Sequence, residues 1–292
     1  MDVGFIGLGK MGGAIARRLA RGRALRGWDL RREAVEAVPG AIPAQNPAAL
    51  GRSCDTVCLC LPTSNEVRSV IFDAGLMDAL PTGALIIDMT TGDPTATRDM
   101  AAQVAATGRQ MIDAPVSGGP VAADAGTLAI MVGADEATFR RAEPLFAEIS
   151  PNVFHAGGVG AGHTMKLVNN LTSAGNRLVA FEAITLAVKN GLDPQRCAEI
   201  MQKSSGRSFM TEVIFPKFIF SGTLDQGFTQ GLMLKDVTLA TALGAASDVP
   251  LTIGNHVREV LAQAVAEDGG ADRDLCTLIR AYEKAAKAKV VD

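Results

Sequence analysis

An α/β doubly wound sheet giving way to an all-helical C-terminal part is the fold class that this 292-residue sequence predicts, on three observations. Short apolar strands alternate with helical stretches through the first half, which is the βαβ rhythm of a parallel sheet. The first strand runs directly into a G-x-G-x-x-G segment. Beyond Gly157-Gly158-Val159-Gly160-Ala161-Gly162 the strand signal ends and the chain reads as helix to its end. Two domains are expected from this, residues 1–161 and 162–292.

The first strand, Val3 to Ile6, meets Gly7-Leu8-Gly9-Lys10-Met11-Gly12, and Ala14, Ile15 and Leu19 then recur at helical spacing. Gly7 allows the tight turn, Gly9 lets the backbone approach phosphate, and Gly12 lets the helix pack close to its strand. The helix N-terminus then faces the anion, so Gly7, Leu8, Gly9, Lys10, Met11 and Gly12 are expected to cradle a dinucleotide pyrophosphate. Asp29 ends the second strand about 20 residues past these glycines, where a carboxylate accepts hydrogen bonds from ribose hydroxyls and repels a 2′-phosphate. That favours NAD. Arg31 and Arg32, just beyond, offer guanidiniums that could accommodate the extra phosphate, which keeps NADP open.

Further strands are read at Asp55 to Leu61, Ala84 to Met89, Gln110 to Ala114 and Leu128 to Val132, with helices such as Thr95 to Thr107 and Glu136 to Ile149 between them. Strand ends carry the chemistry in such sheets. Here they lead into Leu61-Pro62-Thr63-Ser64-Asn65, Asp88-Met89-Thr90-Thr91-Gly92 and Asp113-Ala114-Pro115-Val116-Ser117-Gly118-Gly119, three loops expected to line one crevice.

In the C-terminal part, Leu167, Leu171, Leu178, Phe181, Ile184 and Val188 recur at helical intervals with no proline. They predict a helix from His163 to Asn190, about 42 Å at the standard rise and long enough to lie between the domains. Helix breaks are expected at Asp193-Pro194, Gly206, Pro216, Ser221-Gly222, Gly227, Gly231, Gly244 and Pro250.

Composition narrows the function. Hydrophobic residues make up 48% and formal net charge is −3, with basic residues scattered, so neither a nucleic acid nor a membrane surface is expected as a partner. The five cysteines are irregularly spaced, and Cys58 and Cys60 read as small core residues on one face of a strand. No metal site or disulfide framework is expected, and reduced thiols fit the cytoplasm. The N-terminus enters a core strand without a basic leader, and no apolar run approaches membrane-spanning length.

At the start of the long helix stands His163-Thr164-Met165-Lys166-Leu167-Val168-Asn169-Asn170. Lys166 and Asn170 are i, i+4 on one face with Asn169 slightly off it, so an ammonium and two carboxamides can converge where a nicotinamide would lie. The positive end of a helix disfavours a cation, which eases release of a proton and suits a group that must exchange one. Ser117, Gly118 and Gly119 offer a hydroxyl and unobstructed backbone N–H groups for a carboxylate. Lys235-Asp236 is either a structural ion pair or a reach into the crevice, and Arg207 is either a second carboxylate contact or a solvated surface group. His163 reads as a helix-start residue rather than an acid–base partner.

The whole chain resembles the β-hydroxyacid dehydrogenase family, which includes 3-hydroxyisobutyrate dehydrogenase and tartronate semialdehyde reductase. Four segments carry the resemblance in order: Gly4 to Gly12, Asp113 to Gly119, Gly160-Ala161-Gly162 with Lys166-Leu167 and Asn169-Asn170, and Lys235-Asp236. It implies a 6-phosphogluconate dehydrogenase-like fold and hydride transfer between a nicotinamide cofactor and a short β-hydroxy acid or its semialdehyde. Lys166 would exchange the proton and Asn170 position the substrate. Ser117, Gly118 and Gly119 would bind its carboxylate with Asn169 and Arg207 nearby, while Leu61, Pro62, Thr91 and Lys235 would contact the cofactor. Ser204 to Phe209 looks most like 3-hydroxyisobutyrate dehydrogenases; a tartronate semialdehyde (2-hydroxy-3-oxopropionate) reductase and a threonate or short-semialdehyde dehydrogenase are the alternatives within the family. The resemblance also implies a homodimer or homotetramer. An imine reductase usually lacks the lysine, and 6-phosphogluconate dehydrogenase is much longer, so both fit less well. A non-catalytic NAD-binding regulatory module would need no proton-transfer groups, and Lys166 and Asn170 argue against it.

Overall fold

The computed structural model describes residues 2–267 and 269–291. The chain divides into two compact units, Met1–Lys166 and Leu167–Asp292. The boundary expected at 161/162 coincides with the start of the long helix, Ala161–Lys189, and the units part inside that helix.

The first unit is built on a sheet of β1 (Asp2–Ile6), β2 (Leu25–Trp28), β3 (Ala41–Pro43), β4 (Cys54–Leu59), β5 (Leu85–Asp88), β6 (Gln110–Asp113), β7 (Val116–Ser117), β8 (Ala129–Gly133) and β9 (Val153–Gly157). Its order is β3-β2-β1-β4-β5-β6-β8-β7, with β9 alongside β8. The six strands from β3 to β6 are parallel, and β8 runs antiparallel to β6 and β7. The order in which strands are added reverses between β1 and β4, the kind of switch point at which a crevice opens beyond the carboxyl ends.

Both faces of this sheet are covered, so its central strands are apolar on both sides. Phe5, Cys58, Ile87 and Ile112 pack into one layer, and Ile6, Val57, Leu59, Ile86 and Met111 into the other. The period-2 alternation puts Cys60 beside Cys58 in the first layer, as expected. Helices begin where the chain supplies a cap: Asp93 accepts from Thr95 N (2.8 Å) with Pro94 in the first turn, and Asp135 accepts from Thr138 N (2.9 Å). The resulting helices, Pro94–Ala105 and Glu136–Ile149, match the two expected stretches closely.

Strands β3, β7 and β9 escape the sequence pattern. The first two have three and two residues, too few for any periodicity, and β9 carries exposed His155 and Ala156 at the sheet margin.

The second unit is helical throughout its described residues, with Phe181, Phe215, Val237, Leu261 and Ile279 fully buried in one cluster. Asp193 and Pro194 open the helix Pro194–Gln202 as expected, the carboxylate accepting from Arg196 N at 2.7 Å. Three expected breaks do not occur. Pro216 lies inside the π-helix Met210–Ile219, whose wider turn tolerates the missing N–H. Gly231 is the second residue of Gln230–Ala246, where the N–H has no partner within the helix in any case. Gly244 stays inside the same helix, and Leu251 packs where its Cβ would be. Among the described residues no helix is long and apolar enough to cross a membrane.

Candidate active site

The fingerprint glycines fit a nucleotide cradle for separate steric reasons. Gly7 has φ +88°, and a Cβ there would strike the Cys60 carbonyl; a Cβ on Gly12 would strike the Gly7 carbonyl. Gly9 has no heavy atom within 4 Å of its Cβ position, so the space over its backbone is open for a phosphate. Lys10 and Met11 begin the helix Lys10–Leu19, at whose positive end an anion would sit. The Asp29 carboxylate accepts from Leu8 N at 2.7 Å and from Arg31 N at 2.9 Å, which fixes it beside the fingerprint turn. Arg31 is exposed, with its guanidinium 3.8 Å from the same carboxylate.

The next three strand ends are brought side by side by register alone, since Leu59 pairs with Asp88 and Asp88 with Asp113. Leu61 N donates to the Thr90 hydroxyl (3.0 Å) and Asp93 N to the Ser64 hydroxyl (2.8 Å), joining the loops that carry Leu61, Pro62 and Thr91. Ser117 ends β7, and Gly118 and Gly119 follow with φ of +131° and +74°, conformations that side chains rarely adopt.

Asp113 closes β6 and caps the long helix from outside it. Its Oδ1 accepts from Gly160 N (2.6 Å) and its Oδ2 from His163 N (2.7 Å). Burial pushes the Asp113 carboxyl above the ordinary carboxylate range, while the neighbouring His163 and the two N–H donors pull it back. His163 itself is fully buried, its Nδ1 2.8 Å from the Thr97 hydroxyl and its Nε2 2.9 Å from the Thr90 carbonyl. Together with the His163 N–H on Asp113, these contacts tie the residue at the helix start to Thr97 and Thr90.

Lys166 keeps only 9% of its surface exposed. Asn170 lies one turn further along the same helix face. In the second unit the Asn170 amide donates to Asp236 Oδ2 (2.6 Å) and accepts from Asn169 Nδ2 (3.0 Å). Lys235 Nζ stands 3.1 Å from the other Asp236 oxygen, so Asn169, Asn170, Lys235 and Asp236 form one polar cluster. Arg207 is exposed in the turn between Pro194–Gln202 and Met210–Ile219 and is no part of this cluster.

Comparison with known proteins covers both stretches of the chain. Residues 2–158 match the family model for the NAD binding domain of 6-phosphogluconate dehydrogenase, and residues 160–282 that for the NAD-binding region of NADP-dependent 3-hydroxyisobutyrate dehydrogenase. The chain is 37% identical over 288 residues to 2-(hydroxymethyl)glutarate dehydrogenase of Eubacterium barkeri, covering 97% of this chain and 95% of that one. It belongs to the β-hydroxyacid dehydrogenase family.

The dehydrogenase is also 35% identical over 294 residues to 2-hydroxy-3-oxopropionate reductase of Escherichia coli, covering 99% of this chain and 100% of that one. The solved structure of Mycobacterium tuberculosis 3-hydroxyisobutyrate dehydrogenase with L-serine matches with TM-score 0.85 and 30% identity, covering 96% of this chain and 98% of that one. The dehydrogenase is thus an NAD(P)-dependent oxidoreductase. Reading the sequence alone did not bring out how Asp113, Thr90 and Thr97 meet His163, nor that Asp236 holds Asn170. The motifs contain Asp113 and Asp236, but their partners lie 47 to 66 residues away along the chain.

Proposed function

We propose that the dehydrogenase passes hydride between NAD and a short acid carrying a hydroxymethyl group, or the corresponding aldehyde, on the carbon next to its carboxylate. The relatives named for 2-(hydroxymethyl)glutarate and 2-hydroxy-3-oxopropionate, and the one solved with L-serine, share that unit, which supports 3-hydroxyisobutyrate as the foremost candidate substrate. The observation that carries the reading is the helix face bearing Lys166, nearly buried, one turn before an Asn170 whose amide is held by a carboxylate at 2.6 Å.

When bound, the nicotinamide accepts or returns the hydride. Gly7, Leu8, Gly9, Lys10, Met11 and Gly12 would hold the dinucleotide's pyrophosphate, Asp29 its adenosine ribose hydroxyls with Arg31 alongside, and Leu61, Pro62, Thr91 and Lys235 the remainder. The substrate carboxylate is received by the Ser117 hydroxyl and the backbone N–H groups of Gly118 and Gly119, with Asn169 and Arg207 as further contacts. The Lys166 amine takes the hydroxyl proton during oxidation, and its ammonium returns it to the carbonyl oxygen during reduction. Asn170 has spent one N–H on Asp236 and keeps the other for the substrate oxygen. That fixed donor orients the oxygen toward Lys166.

The proposal extends to a homodimer or homotetramer joined through the helical unit, because Val168, Val179 and Leu186 lie exposed on one face of the long helix. Five free thiols favour a cytoplasmic setting.

The decisive experiment is a spectrophotometric screen of 3-hydroxyisobutyrate, L-serine, 2-(hydroxymethyl)glutarate and 2-hydroxy-3-oxopropionate with NAD(H) and NADP(H), beside Lys166→Ala. The variant is expected to bind NADH normally and to lose at least about a hundredfold in kcat. Wild-type turnover in Lys166→Ala removes the lysine from the mechanism.

A further inference from the structure

We infer that His163 is a positioning residue, a buried strut that fixes the loops at the ends of β4 and β5 against the first turn of the helix bearing Lys166. The inference rests on the reading of Lys166 as the proton-exchanging group. His163 has no path to solvent, so it is badly placed to trade protons with a substrate. Its two ring nitrogens and its backbone N–H are instead engaged within the first unit. A carbonyl only accepts, so Nε2 donates to Thr90 O, while Nδ1 meets the Thr97 hydroxyl and the backbone N–H meets Asp113.

The chain of contacts continues on either side. Thr90 accepts the Leu61 N–H through its hydroxyl, so the imidazole that holds the Thr90 carbonyl indirectly holds Leu61 and Pro62. Asp113 takes the Gly160 N–H with its second oxygen, so the turn before the helix is held as well. Thr97, on the helix Pro94–Ala105, gives a third point of attachment. The space around the ring is fitted to it: a Cβ on Gly92 would lie 3.0 Å from His163 Cε1 and 3.3 Å from Nδ1. Asp88 Oδ2, 3.9 Å from Nε2, is the nearest further carboxylate and makes no hydrogen bond. The imidazole therefore links residues expected to touch the cofactor with a helix whose next turn carries Lys166. A misplacement of that amine by about 1 Å is enough to slow proton transfer on the order of a hundredfold.

The test compares His163→Gln, which keeps an N–H at the position of Nε2, with His163→Asn, whose shorter amide keeps only the Thr97 side. Steady-state kinetics, NADH affinity by fluorescence and the pH profile of kcat are measured for both. His163→Gln is expected to stay within about threefold of wild type with the same pH limbs. In His163→Asn kcat is expected to fall about tenfold to a hundredfold, with NADH affinity and KM within about threefold. Loss of a pH limb in His163→Gln overturns the inference in favour of direct acid–base chemistry. Wild-type kcat in His163→Asn, with only a lower Tm, overturns it in favour of packing alone. If His163→Asn does not fold, Thr90→Val cuts the next link on the Nε2 side, the bond from Leu61 N to the Thr90 hydroxyl, at constant shape: reduced kcat supports the strut, and unchanged kcat sinks it. Lys166→Ala keeps the two readings separable, since wild-type turnover there defeats the role of the lysine whatever residue 163 does.

Discussion

Asp29 serves two purposes with one carboxylate. It accepts the Leu8 N–H and so stiffens the fingerprint turn, and on the proposed reading it leaves a negative charge where a 2′-phosphate would have to lie. Arg31 opposes it weakly, because its side chain is 65% exposed while that of Asp29 is 12% exposed and held by two N–H groups. A solvated cation that already faces a fixed acid has little charge left to offer a phosphate. Asp29→Asn is therefore expected to lower the ratio of kcat/KM for NAD over NADP by about tenfold, equivalent to about 1.4 kcal/mol of discrimination. Arg31→Ala is expected to leave the NAD preference standing. Parallel assays with both cofactors decide this, and a preference for NADP in the wild type that vanishes in Arg31→Ala would reverse the assignment.

At the scale of elements, the long helix shows where local pattern ends and tertiary structure begins. Gly162 lies in its first turn, and replacing a helical glycine by alanine ordinarily stabilises by about 0.5–1 kcal/mol. Here the added Cβ would lie 2.9 Å from Asp113 Oδ2 and 3.0 Å from Gly133 N, and overpacking of that kind costs about 1–3 kcal/mol. The second effect is larger. Gly162→Ala is thus expected to lower the urea midpoint and kcat together, and a more stable, fully active variant would show that the Asp113 cap is loose. The apolar spacing from Leu167 to Val188 made the body of this helix legible, and G-x-G-x-x-G made the nucleotide cradle legible, because both are local signals. The cap was not, since Asp113 arrives from a strand end 47 to 50 residues upstream. For the same reason the i, i+4 spacing placed Lys166 and Asn170 together, but Asp236 as the partner of Asn170 needed the packing of a helix 66 residues away. Pro216, Gly231 and Gly244 misled because a breaker at a π-turn, a first turn or a crowded contact stops nothing.

Among the described residues there are three hydrophobic clusters, one on each face of the sheet in the first unit and one in the helical second unit, and the buried cysteines sample all three. Cys54 and Cys58 are buried against the sheet and Cys276 in the helical core, where loss of hydration disfavours the thiolate and pushes the thiols up to about 11, about 12 and about 11. Raised values mean less thiolate, not more, so at pH 8 the reactive fraction is on the order of one in a thousand or lower for each, before access is considered. Cys60 and Cys197 are only partly buried, and burial raises Cys197 as well, by less. A colorimetric thiol titration of the native protein at pH 8 is therefore expected to find at most two fast-reacting groups, against all five in denaturant. Binding of NADH should leave Cys54, Cys58 and Cys276 unreactive, because their protection comes from hydrophobic packing. Rapid modification of three or more thiols in the native state would mean that at least one of these cores opens at low cost, and the rigid strand ends on which the site depends would open with it.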